Sequence, residues 1–241
     1  MTEVELVALA CFSFIAGVVG TLAGMGGGMV LLVTTALILP MSAVLPLNGV
    51  FLMGAQLSRL YHFHRNINWD VTRPFVLGAL IGAVPGALTY SRMSDFVISL
   101  LLSLTILGIL WLPSVNVKVS VPYPYVLTGA AHTWLSSITG LGGLLQGIML
   151  RGGRPRNTII ATIAASLLSM SVLKTLGYLW VGFNYRPYIL AIVVSIIGGF
   201  LGTWAGKCCL GLVSEERFRF LMRWMLTLFA LRLFWTSWAL G

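Results

Sequence analysis

The sequence predicts an all-α membrane protein, a polytopic transmembrane helical bundle made of two inverted five-segment repeats. Three observations lead to this fold class. Of the 241 residues, 58% are hydrophobic and 9% are charged, whereas a soluble domain has about 25% charged residues. Apolar stretches recur along the whole chain. Two glycine clusters, within 24–28 and 140–143, each stand before a short apolar segment, which indicates glycine-rich broken or re-entrant helices near the midplane.

Ten hydrophobic segments are predicted, five in each half. They span 6–23, 26–39, 43–63, 71–90, 95–112, 122–138, 141–150, 156–181, 187–206 and 217–238. A full crossing takes about 20 residues, so 26–39 and 141–150 are too short for one, and the sequence leaves open whether they cross or re-enter. In the fourth segment, Gly78, Gly82 and Gly86 recur every four residues and are expected to let helices pack closely.

The two halves share landmarks at an offset of 116 residues, as between Asn68 and Asn184. The other pairs are Gly24–Gly140, Gly26–Gly142, Gly27–Gly143, Gly82–Gly198 and Gly86–Gly202. A four-residue insertion is placed after the ninth segment, because Ser94 matches Ser214. The first repeat is thus 1–113, the connecting loop 114–121 and the second repeat 122–241. Each repeat has an odd number of crossings, so the two are expected to be inverted.

Basic residues lie mainly in short loops on one side of the predicted bundle. With the N-terminus outside, only Arg92 and Arg186 fall in outer loops. The residues that fall inside are Arg65, Arg73, Lys118, Arg151, Arg154, Arg156, Lys207, Arg217 and Arg219. By the positive-inside rule, we expect a multi-pass protein of the cell (inner) membrane with its N-terminus on the outer side. The start of the chain lacks the basic region of a signal peptide and is expected to be a membrane segment.

The glycine clusters, called here the first and second tips, are the predicted anion-binding elements. Glycine accepts positive φ, so each run can break one helix and begin another. The first amides of the new helix are free and lie at the positive end of its dipole, an arrangement that binds anions. Main-chain amides are expected from Gly24, Gly26, Gly27, Gly28, Gly140, Gly142 and Gly143. Thr21, Ser137 and Thr139 would add hydroxyl donors.

The run Gly24-Met25-Gly26-Gly27-Gly28, its second copy Gly140-Leu141-Gly142-Gly143, and the Asn68-Trp69-Asp70 loop before a glycine-rich helix resemble the sulfite exporter TauE/SafE family. The resemblance covers nearly the whole chain, as two family repeats. It implies a multi-pass carrier of sulfite and small organosulfonates in the cytoplasmic membrane, with the tips as the substrate region. Two departures are visible: Leu144 replaces the last glycine of the second tip, and Met29 and Leu145 stand where a proline often follows.

Polar residues also share faces of three predicted segments. His132, Ser136 and Thr139 lie on one helix face before the second tip, which suits a ligand or proton relay as well as helix–helix hydrogen bonding. A serine protease is not indicated, because no acid is near enough in sequence to orient His132. The other two sets are Asn48, Gln56 and Arg59 in the third segment and Thr162, Ser166 and Lys174 in the eighth.

The cations within these sets have two interpretations. Arg59 and Lys174 lie toward segment ends, where snorkelling to the interface is the ordinary explanation. An intramembrane cation costs about 2.5–3.5 kcal/mol on insertion scales, so each could instead attract the substrate. In inverted repeats, Arg59 would lie near the inner face and Lys174 near the outer face.

Acidic residues are scarce, which narrows the function. The six carboxylates are Glu3, Glu5, Asp70, Asp95, Glu215 and Glu216, all terminal or in predicted loops. Cation transporters and most proton pumps place carboxylates within the membrane, so a site of amides, hydroxyls and cations indicates an anion. The basic residues form no stripe with aromatic residues, so no nucleic-acid partner is expected. No cofactor, metal or enzyme activity is expected either.

These features predict a secondary transporter of a small anion that works by alternating access. The family resemblance makes that anion sulfite or an organosulfonate, exported from the cell. An anion channel and a non-transporting membrane assembly subunit are the alternatives. The expected partners are the small anionic substrate and the lipid bilayer, and the apolar surface is also compatible with a homo-oligomer.

Overall fold

The computed structural model describes residues 1–22, 27–111, 123–140, 144–151 and 153–208, with 224, 227, 228, 230–232, 234 and 235 near the C-terminus. In these ranges the α-helices are α1 Glu3–Leu22, α2 Gly27–Ile38, α3 Met41–Phe51, α4 Met53–Phe63, α5 Trp69–Ser91, α6 Asp95–Trp111, α7 Pro124–Thr139, α8 Leu144–Arg151, α9 Arg156–Trp180 and α10 Ile189–Cys208. Short 3-10 turns, His64–Asn66 and Arg186–Tyr188, precede α5 and α10. The prediction of an all-helical fold is confirmed for the described residues.

Helix length separates crossing helices from shorter ones. In the described chain, the stretches long and apolar enough to cross a membrane are Glu3–Leu22, Met41–Asn66, Trp69–Ser91, Arg156–Trp180 and Arg186–Cys208. By contrast, α2 has 12 residues and α8 has 8. At 1.5 Å per residue these are about 18 and 12 Å long, against a hydrocarbon core of about 30 Å. The prediction that segments two and seven are too short for a full crossing is confirmed.

Local sequence explains several helix ends. Asn68 caps α5, because its side-chain oxygen accepts a hydrogen bond from the amide of Asp70 at 3.0 Å, as N-cap residues do. Helix α7 ends at Gly140, whose φ of 67° is the left-handed conformation that commonly closes helices. The third predicted segment differs from the expectation, since it is divided at Leu52 into α3 and α4.

The most extensive helix contacts join α5 to α7 and α1 to α10. Both interfaces are built on glycines that let the two backbones touch. The close pairs are Gly78–Val126, Gly82–Ala130 and Gly86–Trp134 in the first interface and Gly198–Ala10, Gly202–Phe14 and Gly206–Val18 in the second. A Cβ at Gly82 or Gly202 would overlap the main-chain oxygen of its partner. The predicted packing role of Gly78, Gly82 and Gly86 is confirmed.

These pairs correct the predicted register between the two halves. The sequence match equates Gly82 and Gly86 with Gly198 and Gly202, but in the packing they occupy the places of Gly202 and Gly206. The partner residues in α1 and α7 keep the offset of 116, whereas α5 and α10 are offset by 120, as from Gly82 to Gly202. The four extra residues therefore lie before α10, where a 3-10 turn precedes the helix, and not after it.

Contacts near helix ends give the directions of the helices. Lys207 at the end of α10 places its Nζ 5.6 Å from the ring centroid of Phe63 at the end of α4, so both helices finish at one end of the bundle. Helix α3 continues into α4 through Leu52, which is also helical, so the two run in the same direction. Helix α5 runs opposite to them, since the Tyr90 hydroxyl near its end donates to the Ser42 oxygen at the start of α3 at 2.7 Å. The glycine pairs advance in step along both interfaces. Helices α1 and α10 are therefore parallel, α5 and α7 are parallel, and α1 runs opposite to α7.

Candidate functional site

Two side chains of α9 hold the last turn of α7. The Lys174 ammonium donates to both the main-chain oxygen and Oγ of Ser136, each at 2.8 Å. Tyr178, one turn further along α9, donates its hydroxyl to the main-chain oxygen of Ser137 at 2.7 Å. Lys174 is 3% exposed, and its ammonium points into the protein. The snorkelling interpretation is therefore wrong for Lys174.

The Lys174–Ser136 pair retains unused donors. An ammonium has three hydrogens, and the described contacts of Lys174 use two of them. Ser136 accepts from Lys174 through Oγ, which leaves its own hydroxyl proton for another acceptor. Thr133, one turn earlier on α7, has a buried hydroxyl with no hydrogen-bond partner among the described residues. Donors held beside a cation in this way suit an anionic ligand.

Helix α3 of the first half reaches the same place. The side-chain amide of Asn48 donates to the main-chain oxygen of Gly140 at 3.4 Å. Its carbonyl oxygen is buried and has no hydrogen-bond partner in the described chain. The next residue, Gly49, is also buried, yet no described atom lies within 4 Å of the position that a Cβ would take there. The side chain that contacts the end of α7 thus carries a buried amide oxygen that is unpaired in the described chain.

The described flanks of the two tips lie close together. A Cβ on Gly140 would lie 2.7 Å from Cδ1 of Leu32 and 2.8 Å from Cδ2 of Leu45. Leu32 belongs to α2, the helix that follows the first tip, and is five residues from its first residue, Gly27. Five residues of helix span about 7.5 Å. The end of α7 therefore packs about one and a half turns from the start of α2.

His132 accepts a hydrogen bond from the helix that follows the second tip. The amide of Leu145, in the first turn of α8, donates to Nδ1 of His132 at 3.4 Å. The ring meets that of Phe75 edge-on, with centroids 5.7 Å apart. His132, Ser136 and Thr139 are all buried, so the predicted polar face is turned inward. In this arrangement His132 positions α8 beside α7.

A second cation lies against the end of α1. The guanidinium of Arg59 donates from Nη1 to the Gln56 side-chain oxygen at 3.3 Å. Its Nη2 would lie 3.0 Å from a Cβ on Gly20, in the last turn of α1. Thr21 donates its hydroxyl to the main-chain oxygen of Gly17 at 2.9 Å and of Thr203 at 3.5 Å. Arg59 thus faces α1, as Lys174 faces α7.

Several of the site residues predicted from sequence lie in two separate clusters, one around Lys174 and one around Arg59. Asn48 joins the Lys174 cluster, whereas Gln56 and Arg59 form the other, so the three residues expected on one face belong to two clusters. Thr162 accepts from the amide of Asn68 at 3.0 Å and holds the start of α5. In the eighth segment, Thr162, Ser166 and Lys174 are all buried.

Two of the predicted hydroxyl donors form hydrogen bonds within α7 instead. Thr139 donates within α7, to Leu135 at 2.9 Å, and Ser137 donates to Thr133 at 2.8 Å. Among the described atoms, a Cβ on Gly28 would meet those of Leu52, at 3.6 Å. The predicted amides of Gly24, Gly26, Gly142 and Gly143 lie outside the described residues.

A scan against protein-family models matches residues 9–233 to the family described as Sulfite exporter TauE/SafE. The chain belongs to the TauE/SafE family. The match covers both halves and thus both clusters, and the family and the long apolar helices together make the chain a multi-pass membrane protein. Neither the comparison with curated proteins nor that with solved structures gave a match.

In this TauE/SafE family member, two residues that were not among the predicted site residues, Tyr178 and Gly20, contact the two clusters. Tyr178 follows Lys174 by one helical turn on the same face, a signal that could have identified it. Gly20 lies 116 residues before Ser136, so the repeat offset could have linked the two helix ends that meet a cation.

Proposed function

We propose that this protein is a secondary transporter that exports a small sulfur-containing anion, sulfite or an organosulfonate, by alternating access. The observation that carries the proposal is the inward ammonium of Lys174, 2.8 Å from two oxygens of Ser136, in a member of a sulfite exporter family. A buried cation beside unused hydroxyl protons favours an anion over a cation. The function proposed is transport and not enzymatic catalysis.

The distribution of carboxylates supports an anionic substrate. In the described chain, Glu3, Glu5, Asp70 and Asp95 all lie in the first turns of α1, α5 and α6. There they interact favourably with the positive ends of helix dipoles. In the described chain, the hydrogen bonds of Lys174 go to Ser136 and to none of these four carboxylates. Main-chain amides of Gly26–Gly28 and Gly142–Gly143 are proposed to complete the site.

The proposed architecture is an inverted repeat, with 1–113 and 122–241 as its halves. In such a repeat, α1 corresponds to α7 and α5 to α10, so the α1–α10 interface corresponds to the α5–α7 interface. The glycine pairs of both interfaces follow the same spacing. The opposite directions of α1 and α7 support the inversion. The two tips are proposed as re-entrant elements near the midplane, which the packing of Gly140 on Leu32 of α2 supports.

Alternating access is proposed to come from one half rocking against the other. The chain is proposed to lie in the inner membrane with its N-terminus outside, an orientation in which Arg59 would lie toward the inner face and Lys174 toward the outer face. The substrate anion and the lipid bilayer are the proposed partners. A homo-oligomer stays a prediction.

The test is transport by the purified full chain in sealed liposomes. We expect saturable uptake of radiolabelled sulfite, and acceleration of its efflux by unlabelled sulfite on the opposite side, which is the signature of a carrier. Liposomes without protein give the leak, and a panel of methanesulfonate, sulfate and acetate gives the specificity. Non-saturating flux with large single-channel currents would indicate a channel. No flux and no binding for any anion of the panel would indicate a non-transporting subunit and contradict the proposal.

A further inference from the structure

The cluster around Arg59 contains a guanidinium with unused donors, a group that the Lys174 cluster lacks. Arg59 makes one hydrogen bond among the described residues, to Gln56, out of the five that a guanidinium can donate. Ser58, next to it on α4, is fully buried, and its hydroxyl has no partner among the described residues. Thr203 on α10 is 5% exposed, and its buried hydroxyl is likewise unpaired in the described chain.

Two of these groups, Arg59 and Thr203, lie against the end of α1. The amide nitrogen of Thr203 would lie 2.7 Å from a Cβ on Gly17, and Thr21 donates to the Thr203 oxygen. Arg59 approaches the same turn at Gly20. Helix α4 packs along α10, and a Cβ on Gly199 would lie 3.4 Å from the amide of Ala55. One turn further along these parallel helices, Ser58 and Thr203 come level with each other.

We propose that Arg59, Ser58 and Thr203 form a second anion subsite, which selects oxyanions over halides because the planar guanidinium can hold two oxygens at once. The inference rests on the proposed function. A guanidinium is a rigid fork that matches the oxygen pairs of sulfonates, sulfite and carboxylates, whereas an ammonium is a point charge that any small anion satisfies. The two clusters thus differ in what they discriminate, although each lies at the end of the helix that precedes a tip.

A structural role for Arg59 makes a different prediction. A cation at the end of α1 also balances the negative end of the helix dipole, which contributes about 0.3–1 kcal/mol. Lysine would balance the dipole equally well but cannot supply the fork. The substitution Arg59→Lys therefore separates the two roles.

The experiment compares the binding of two monovalent anions, methanesulfonate and chloride, to the purified full chain by calorimetric titration. We expect Arg59→Lys to reduce the affinity ratio of methanesulfonate to chloride about tenfold, the factor that corresponds to the loss of one charge-assisted hydrogen bond. Chloride affinity should stay within about twofold of the wild type, because the charge remains. Arg73→Lys is the matched control, since Arg73 is exposed in the first turns of α5, and its ratio should equal that of the wild type.

Two further variants keep the test decisive if Arg59→Lys does not fold. Ser58→Ala and Thr203→Val remove the unpaired hydroxyls and leave the cation, and each should lower the ratio about threefold or more. A wild-type ratio in Arg59→Lys, or in both hydroxyl variants when the lysine variant does not fold, would overturn the inference. A change in thermal stability alone would assign Arg59 to the α1 dipole and overturn it as well.

If the wild-type chain binds no anion and gives no flux, it is the proposed function that fails. If the wild-type chain transports and Arg59→Lys keeps its selectivity, only the second subsite fails.

Discussion

The ammonium of Lys174 and the last turn of α7 at Ser136 are joined by two hydrogen bonds of 2.8 Å each, one to the main chain and one to the side chain. This contact fixes a cation from the eighth predicted segment against the helix that leads into the second tip. It also gives Lys174 a local structural role, because cations at helix C-termini are stabilising. Transport and stability must therefore be measured on the same variants.

Lys174→Met should abolish most transport while the chain stays folded. A hydrogen bond to a charged group contributes about 1.5–3 kcal/mol, so the apparent affinity for sulfite should fall about 10- to 100-fold. Methionine has a similar length and suits an apolar interior, and removal of a buried cation by an apolar residue is often tolerated. The measurement is sulfite uptake into proteoliposomes, with elution as a single monodisperse peak as the check on folding. Lys207→Met, at the exposed end of α10, is the control and should transport normally; equal uptake by both variants would remove Lys174 from the substrate path.

The glycine that ends α7 offers a matched pair for stability. Gly140 has φ 67° and Gly153 has φ 60°. Alanine in this left-handed conformation lowers the stability by about 1–2 kcal/mol at either position. Only at Gly140 would the new Cβ also meet side chains, those of Leu32 and Leu45. Overpacking of this kind costs about 1–3 kcal/mol. Gly140→Ala should therefore unfold more easily than Gly153→Ala by that amount in an SDS titration, and equal midpoints would mean that the second tip does not pack tightly on α2.

The sequence was informative wherever a residue's role depends on its own helix. The helical character of the segments, the shortness of the second and seventh segments, and the packing glycines of α5 all follow from hydropathy and spacing, and the described residues agree. The register between the halves could not be read correctly, because the four extra residues lie before α10, around the three-residue 3-10 turn Arg186–Tyr188, and such a turn leaves no hydropathy signal. The direction in which Lys174 points could not be predicted either, because a single helix does not specify which neighbour covers each face.

Gly82 and Gly202 should respond alike to alanine if the two interfaces are equivalent. Each lies where a Cβ would overlap a main-chain oxygen, that of Ala130 or of Phe14. Alanine gains about 1 kcal/mol of helix propensity over glycine, but a backbone overlap cannot be relieved by a side-chain rotation. We expect both variants to lose about 1–3 kcal/mol of stability in SDS unfolding. Gly49→Ala is the control, because no described atom lies within 4 Å of its Cβ position, and it should be neutral or slightly stabilised; a difference of more than about 2 kcal/mol between the first two would argue against equivalent packing.

The proposed orientation can be tested by chemical labelling from one side. Asn66, in the turn before α5, and Arg92, just after α5, are both exposed and flank a helix of 23 residues, long enough to cross the bilayer. A cysteine at each position, in a background where Cys11, Cys208 and Cys209 are replaced by serine, reports its side through a membrane-impermeant maleimide. With the N-terminus outside, intact cells should label Arg92→Cys and not Asn66→Cys, and lysed cells should label both. The reverse pattern would invert the orientation and place Lys174 toward the inner face, whereas labelling of both in intact cells would mean that α5 does not cross.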